Sequence, residues 1–357
     1  MQISSWVVHQ PARPMTRETR EETPGPGEVI VRVAGCGVCH TDLGFFYDGV
    51  LTRHGFPLTL GHEISGTIVD AGPGAGPWVG RAVVVPAVLP CGTCAACMAG
   101  RGQVCPHQVF PGNDVHGGFG THVRVPLRGV CPVAGLDSTA TNPRAIALAD
   151  LSVIADAIST PYQAVLRSGL ASGDVAVFVG AGGVGGFGVQ IAAAFGASVV
   201  AIDPDPARLQ PLACYGATLT IDPATLDTKQ LRKRVRAFAD ERGVPTWRTR
   251  IFETSGTANG QATAFALLGH GGYLSVVGYT PQAIELRLSN LMAFDATVQG
   301  NWGCLPEHYP AVVDLVLQGC VALAPFIEHR PLAAINEVFE ELHAGGVTRR
   351  FVLIPES

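Results

Sequence analysis

The apolar run Val175–Val179 leads straight into Gly180-Ala181-Gly182-Gly183-Val184-Gly185, and this junction narrows the possible folds most. A glycine loop of this form between a strand and a helix binds a dinucleotide. Gly180 permits the tight turn. Gly182 removes a side chain where a pyrophosphate approaches the helix N-terminus, and Gly185 lets helix and strand pack closely. Gly183 and Val184 complete the loop. A second apolar run, Ser198–Ile202, ends at Asp203, eighteen residues beyond Gly185. An acid there accepts hydrogen bonds from the adenosine ribose and repels a 2′-phosphate, which favours NAD over NADP. Arg208, close behind, is the one residue that argues the other way. Strand and helix signals keep alternating through residues 251–277, so this part of the chain reads as a doubly wound parallel sheet.

Two groups of metal-ligating residues precede the loop. Cys91, Cys94, Cys97 and Cys105 have the spacing of a closed four-thiolate site, with small residues between them that allow tight wrapping. Four thiolates leave no open position, so an ion there stabilises the 91–105 lobe and does no chemistry. The second group is looser. Cys36-Gly-Val-Cys39-His40-Thr41-Asp42 and Gly61-His62-Glu63 offer thiolates and an imidazole. Spacing alone leaves Cys36 and Cys39 as competitors.

The 357 residues suffice for two domains. Short strands at residues 29–33, 64–70 and 82–85, set among Gly/Pro-rich turns, make the first 130 residues an all-β or mixed module. Residues 148–167 read as helical, interrupted by Pro161. After Gly303 come a helix at Tyr309–Leu317, a run at 324–328, a helix near 335–343 and a last strand, Arg350–Ile354. This tail is expected to return to the first module. Twenty-four basic against twenty-nine acidic residues give a net charge of −5, which does not favour nucleic acid. The apolar stretch from Val175 to Ile202 is broken by glycines, so no membrane partner is expected. The start, MQISSWVVHQ, lacks a basic region followed by an apolar run, and the ten cysteines suit thiolate ligation in a reducing compartment, so the expectation is a cytoplasmic protein.

These marks, in this order, resemble the zinc-dependent medium-chain alcohol dehydrogenases over essentially the whole chain. The resemblance rests on Gly35-Cys-Gly-Val-Cys-His-Thr-Asp42, on Gly61-His-Glu-Ile-Ser-Gly66 with Gly72 beyond, on the four-cysteine lobe and on the Gly180–Gly185 loop. It implies an α/β protein with a GroES-like β-barrel catalytic domain (1–155), a Rossmann NAD-binding domain (156–303) and a C-terminal segment (304–357) completing the first. It implies NAD and two zinc ions per chain, and a homodimer or homotetramer. It assigns Cys39 and His62 to the catalytic zinc and excludes Cys36. The family's usual third ligand is a cysteine, and Asp156 stands in that place here. Thr41 would pass the alcohol proton toward the cofactor ribose, His40 would meet the pyrophosphate, and Glu63 would act as a nearby or transient ligand. Asp42 would orient the metal-bound imidazole or nearby backbone. The histidine that often ends the relay is replaced by Gly44, with His54 a weak substitute.

Within the family, residues 109–119, 246–250 and 299–304 resemble members acting on a cyclic hydroxy-enoyl-CoA thioester from aromatic-compound degradation. That likeness implies NAD-dependent oxidation of 6-hydroxycyclohex-1-ene-1-carbonyl-CoA to the 6-oxo thioester, with hydration of a cyclic dienoyl-CoA as a secondary activity. The alternatives are a simple secondary-alcohol or polyol dehydrogenase and a nucleotide-binding redox sensor. Trp302 suits a pocket wall or hinge packing equally. The basic run Arg232, Lys233, Arg234 and Arg236 reads as a solvated helix face rather than an anion handle.

Overall fold

The computed structural model describes residues 1–356. The chain forms two compact units: Met1–Ser159 with Gly303–Gly319 and the chain from Ile327 onward, and Thr160–Trp302 with Cys320–Phe326. The first unit therefore keeps Asp156–Ser159, and the second takes Cys320–Phe326 out of the C-terminal segment. Gln190 holds that stretch at both polar ends of its side chain: Oε1 accepts from Ala322 N at 2.7 Å and Nε2 donates to Ala322 O at 3.4 Å. Phe326 packs against Phe187 and Tyr215.

In the first unit seven strands form one sheet. Along it lie Ile327–Pro331, Arg350–Ile354, Glu28–Gly37, Glu63–Ala71, Ala82–Val85 and Cys131–Pro132, while His122–Pro126 also pairs with Glu28–Gly37. The C-terminal strand joins by antiparallel pairing of Val352 with Gly37 and Leu353 with Cys36. Alternating residues of these strands, such as Val29, Val31, Ile64, Ile68, Phe351 and Leu353, fill the core. A separate antiparallel pair, Gln2–Val7 with Thr16–Glu21, lay outside the strands read from the sequence.

The stretch expected as one interrupted helix is two elements. Leu148–Ala155 is a 3₁₀ helix and Ser159–Arg167 an α-helix. Pro161 sits inside the first turn of the α-helix, where its missing N–H costs nothing. The break falls earlier, at Asp156, whose backbone angles (φ −141°, ψ −56°) are not helical. Gly35 makes room for the 3₁₀ segment: a Cβ there would lie 2.7 Å from the Ala149 carbonyl oxygen. Ser65 Oγ donates to Leu148 O at 2.6 Å and fixes its start.

His116 makes this unit acid-sensitive. Its Nδ1 accepts the Thr59 N–H at 3.1 Å, which requires a neutral ring. Burial, reinforced by the charge of Arg20, lowers its pKa to about 4. A depressed histidine pKa means that the unfolded chain binds the proton more readily. The associated stability is complete above the unfolded value of roughly 6.5. It falls as pH drops toward 4. Urea unfolding followed across that window is expected to show the decline, and His116→Asn, which keeps an acceptor but cannot titrate there, to flatten it.

The second unit is a six-stranded sheet in the order Ala217–Ile221, Ser198–Ile202, Val175–Val179, Thr249–Glu253, Tyr273–Val276, Thr297–Gly300. Every neighbouring pair is parallel. The chain builds outward from Val175–Val179 on one side, then resumes on the other with Thr249–Glu253. That reversal places a crevice at the carboxyl ends of these two strands, where open α/β sheets bind ligands.

Candidate active site and dinucleotide loop

Strand pairing assembles the looser metal group. Gly37 and Glu63 are register partners at the joined ends of two antiparallel strands. Cys39 follows one strand and His62 precedes the other, so pairing brings them together across a gap in sequence. Asp156 arrives from the end of the 3₁₀ segment. The ligand atoms of Cys39, His62, Glu63 and Asp156 all lie within 4.8 Å of one another. Asp156 Oδ2 is 3.9 Å from Cys39 Sγ and 3.7 Å from His62 Nε2. Cys36 is not part of this group. It is 1% exposed among core residues, with its sulfur directed at the Gly37 carbonyl at 3.7 Å.

The donor set suits a divalent metal. A buried imidazole, a thiol and carboxylates converge, and neither ring nitrogen of His62 makes a hydrogen bond of good geometry. Burial alone would lower the His62 pKa, but the carboxylates of Asp42 and Asp156 outweigh it and hold the pKa well above the usual value.

Supporting contacts surround the group. Asp42 is fully buried. Its Oδ2 accepts from Cys39 N at 2.9 Å, its Oδ1 accepts from Gly61 N at 3.1 Å, and His62 Nδ1 stands 3.3 Å from the same Oδ1. One carboxylate therefore orders both ligand loops and the ring. Phe110 packs edge-on to His62 at 5.0 Å. Glu63 Oε1 accepts from Arg350 Nη1 at 2.6 Å, while its Oε2 has no partner. Burial raises the Glu63 pKa to about 7 even though the Arg350 charge opposes the rise. Gly37 creates the space for this carboxylate, since a Cβ there would lie 2.0 Å from Oε2. Thr41 Oγ1 is 3.7 Å from Cys39 Sγ, and His40 is exposed at the start of the His40–Phe46 helix. His54 lies in an exposed loop, where its ring meets the Gly55 carbonyl and faces His116.

Sequence reading missed Arg350, Ser159 and Tyr309. Arg350 opens an apolar strand, where a lone charge reads as solvated, yet it is only 7% exposed. Tyr309 is fully buried; its Oη donates to Ala155 O at 2.5 Å and lies 3.1 Å from Ser159 Oγ. Ser159 Oγ also reaches Ala155 O at 3.2 Å. This clamp grips the peptide just before Asp156. Tyr309→Phe is expected to cost about 1–3 kcal/mol of stability by leaving a buried carbonyl with one donor fewer. It is also expected to alter the visible absorption of enzyme carrying cobalt in this group. An unchanged cobalt spectrum would separate the clamp from the metal geometry.

The lobe cysteines approach one another as four ligands of one ion would. The Cys91–Cys97, Cys94–Cys97 and Cys94–Cys105 sulfurs are 3.9, 3.5 and 3.7 Å apart. Tetrahedral zinc–sulfur bonds of about 2.3 Å require sulfurs about 3.8 Å apart. Backbone N–H groups of Gly92 and Cys94 donate to Cys97 and Cys91 sulfurs, each at 3.3 Å. Such donation at Thr93 and Cys94 draws the Cys91 thiol down to about 5, while burial pushes the Cys97 thiol of the same cluster up to about 12.

In the second unit the glycines divide their work. Gly180 has φ +98°, and a Cβ there would lie 2.5 Å from Ser255 Cα. At Gly185 a Cβ would lie 1.8 Å from the Gly180 carbonyl oxygen, whereas at Gly182 the nearest atom, Arg208 Nη1, is 3.7 Å away. Gly182, Gly183 and Val184 form the accessible part of the loop. Asp203 Oδ2 accepts from Ala181 N at 2.7 Å and its Oδ1 from Asp205 N at 2.8 Å. Arg208 stands between two acids, 4.0 Å from Asp203 Oδ2 and 3.6 Å from Asp205 Oδ2. Trp302 is 47% exposed and therefore not a core filler. Its carbonyl accepts from Gln163 Nε2 at 3.2 Å.

Comparison with known proteins agrees with both halves. Residues 25–135 match the alcohol dehydrogenase GroES-like domain and residues 183–318 the zinc-binding dehydrogenase model. The L-threonine 3-dehydrogenase of Pyrococcus abyssi is 30% identical over 90% of each chain. The L-galactonate-5-dehydrogenase of Escherichia coli is 27% identical over 94% of this chain and 93% of its own. Among solved structures, an alcohol dehydrogenase from Thermotoga maritima superposes with a TM-score of 0.87 at 25% identity, covering 100% of both chains. A relative this similar over nearly its full length, joined to two metal-competent groups and a dinucleotide loop, places the chain in the zinc-dependent medium-chain alcohol dehydrogenase family.

Proposed function

We propose that this enzyme transfers hydride reversibly between a secondary alcohol or polyol and NAD, with Cys39, His62 and Asp156 holding the catalytic zinc and the four lobe cysteines a structural one. The convergence of Cys39, His62 and Asp156 carries this reading. A zinc held by these residues would supply Lewis acidity toward the alcohol oxygen, and a bound nicotinamide would provide the hydride acceptor. The protein's part is to bind, orient and move one proton. Asp42 keeps the His62 ring oriented, and Arg350 offsets the Glu63 charge so that this carboxylate can remain buried beside the ligands. Glu63 serves as the spare or transient ligand. Thr41, beside the Cys39 sulfur, receives the alcohol proton. Gly44 offers no side chain to continue the relay, so water or another group would have to finish it. His40, exposed at the start of its helix, would meet the pyrophosphate of a bound cofactor.

Asp203 binds the adenosine ribose. Arg208 is engaged by Asp203 and Asp205, which weakens it as a 2′-phosphate partner. NADH is therefore expected to bind at least about tenfold more tightly than NADPH, a difference of about 1.4 kcal/mol. Fluorescence titration checks this, and tighter NADPH binding would reverse the assignment.

The relatives named above act on L-threonine and L-galactonate, which supports a hydroxylated substrate of that class. Oxidation of 6-hydroxycyclohex-1-ene-1-carbonyl-CoA is the narrower reading, and it rests on residues 109–119, 246–250 and 299–304 alone. A panel of secondary alcohols, polyols, L-threonine and this thioester, scored by NADH formation, decides between them. Water addition to the cyclic dienoyl-CoA in the absence of nicotinamide, read by mass spectrometry, tests the hydratase alternative. Two zinc ions per chain are expected; a single ion would favour the redox-sensor reading.

A further inference from the structure

The basic helix face does more than meet solvent. In Thr228–Asp240, residues 232, 233 and 236 border a cavity of about 390 Å³ within the second unit. This volume lies in the range of small-molecule sites, roughly 300–1,000 Å³. Its floor is apolar and buried: Val235, Ile251 and Leu268 are 6%, 2% and 1% exposed. His270, packed edge-on to Phe294 at 5.1 Å, lies on the lining too.

The rim charges are not balanced. Arg236 pairs with Asp240 at 2.9 Å, but Arg232 and Lys233 have no carboxylate partner among the described residues. A greasy floor under two uncompensated cations complements a molecule with an apolar body and one anionic head. The cavity is also separate from the dinucleotide loop. Its lining takes Thr249 and Ile251 from the Thr249–Glu253 strand but not Glu253, the register partner of Val179 next to the glycine loop. Ile251, the lining residue nearest that end of the strand, stops two strand steps, about 7 Å, short of Glu253.

We propose that this cavity binds a small amphipathic organic anion, a carboxylate or phosphate monoester on a chain or ring of about eight carbons. Its apolar part rests on Val235, Ile251 and Leu268, and its head faces Arg232 and Lys233. The test is titration of octanoate, octyl phosphate and 1-octanol into the zinc-loaded enzyme saturated with NADH, followed by methyl NMR. Saturable shifts at Val235, Ile251 and Leu268 are expected with the anions. The double variant Arg232→Gln/Lys233→Gln, confined to exposed side chains, should weaken them at least about fivefold. A response to octanoate alone identifies the head as carboxylate, and to octyl phosphate alone as phosphate. Octanol binding as tightly as the anions, unchanged affinity in the double variant, or no saturable shift at millimolar ligand would each overturn the proposal.

Discussion

Asp156→Asn is expected to leave one firmly held metal per chain instead of two and to lower kcat/KM by about 10³-fold, the loss of several kcal/mol of Lewis-acid stabilisation. The substitution keeps the side-chain shape but replaces an anionic oxygen donor with a weak neutral one. Fit and folding should therefore survive while ligation fails. The four-cysteine lobe draws on residues 91–105 only and keeps its ion. Metal content per chain and kcat/KM, measured on the same preparation, give the result. Two tightly held ions with normal turnover would remove Asp156 from the ligand set. An oxygen donor in place of a thiolate would also make the ion a stronger Lewis acid. Tyr309 and Ser159 bear on this site because they hold the Ala155 carbonyl, the peptide that leads into Asp156.

The second large effect separates two glycines three residues apart. Gly185→Ala is expected to destabilise the second unit by at least about 3 kcal/mol, because the new methyl would collide with the backbone oxygen of Gly180 and with Thr254 Oγ1. Gly182→Ala meets no such atom and should fold normally. Its methyl instead projects into the accessible loop where a pyrophosphate must come close, so NADH affinity should fall roughly 30-fold, a clash worth about 2 kcal/mol. Thermal unfolding and NADH titration of both variants read the contrast. Normal NADH affinity in folded Gly182→Ala would place the pyrophosphate elsewhere.

Much of this architecture was legible before any coordinates. Val175–Val179, Ser198–Ile202, Ala82–Val85 and Arg350–Ile354 are strands over the residues expected. Their apolar runs are short, β-branched and bounded by turn residues, so local pattern and final environment agree. The lobe was equally legible, because its four ligands fall within fifteen consecutive residues and the spacing itself carries the geometry. Residues 148–167 were harder. Their apolar content suits any helix, and nothing local says that the chain breaks at Asp156 rather than at Pro161. At the break itself the Ala155 carbonyl is held by Tyr309, 154 residues further along the chain.

The same distinction holds at the site. Residue types and local spacing pointed to the lobe and the glycine loop, because clustered thiolates and bare backbone have few other uses in such patterns, whereas Cys39 and His62 were assigned only through the family resemblance. Tertiary structure set the Cys39 sulfur beside His62 and Asp156, put Arg350 against Glu63, clamped Ala155 with Tyr309 and turned part of a basic helix face into the rim of a cavity. Each of these depends on contacts between segments far apart in the chain, through strand register and the desolvation of charge. Neither quantity is encoded at any one position, and both exist only once the sheet has formed.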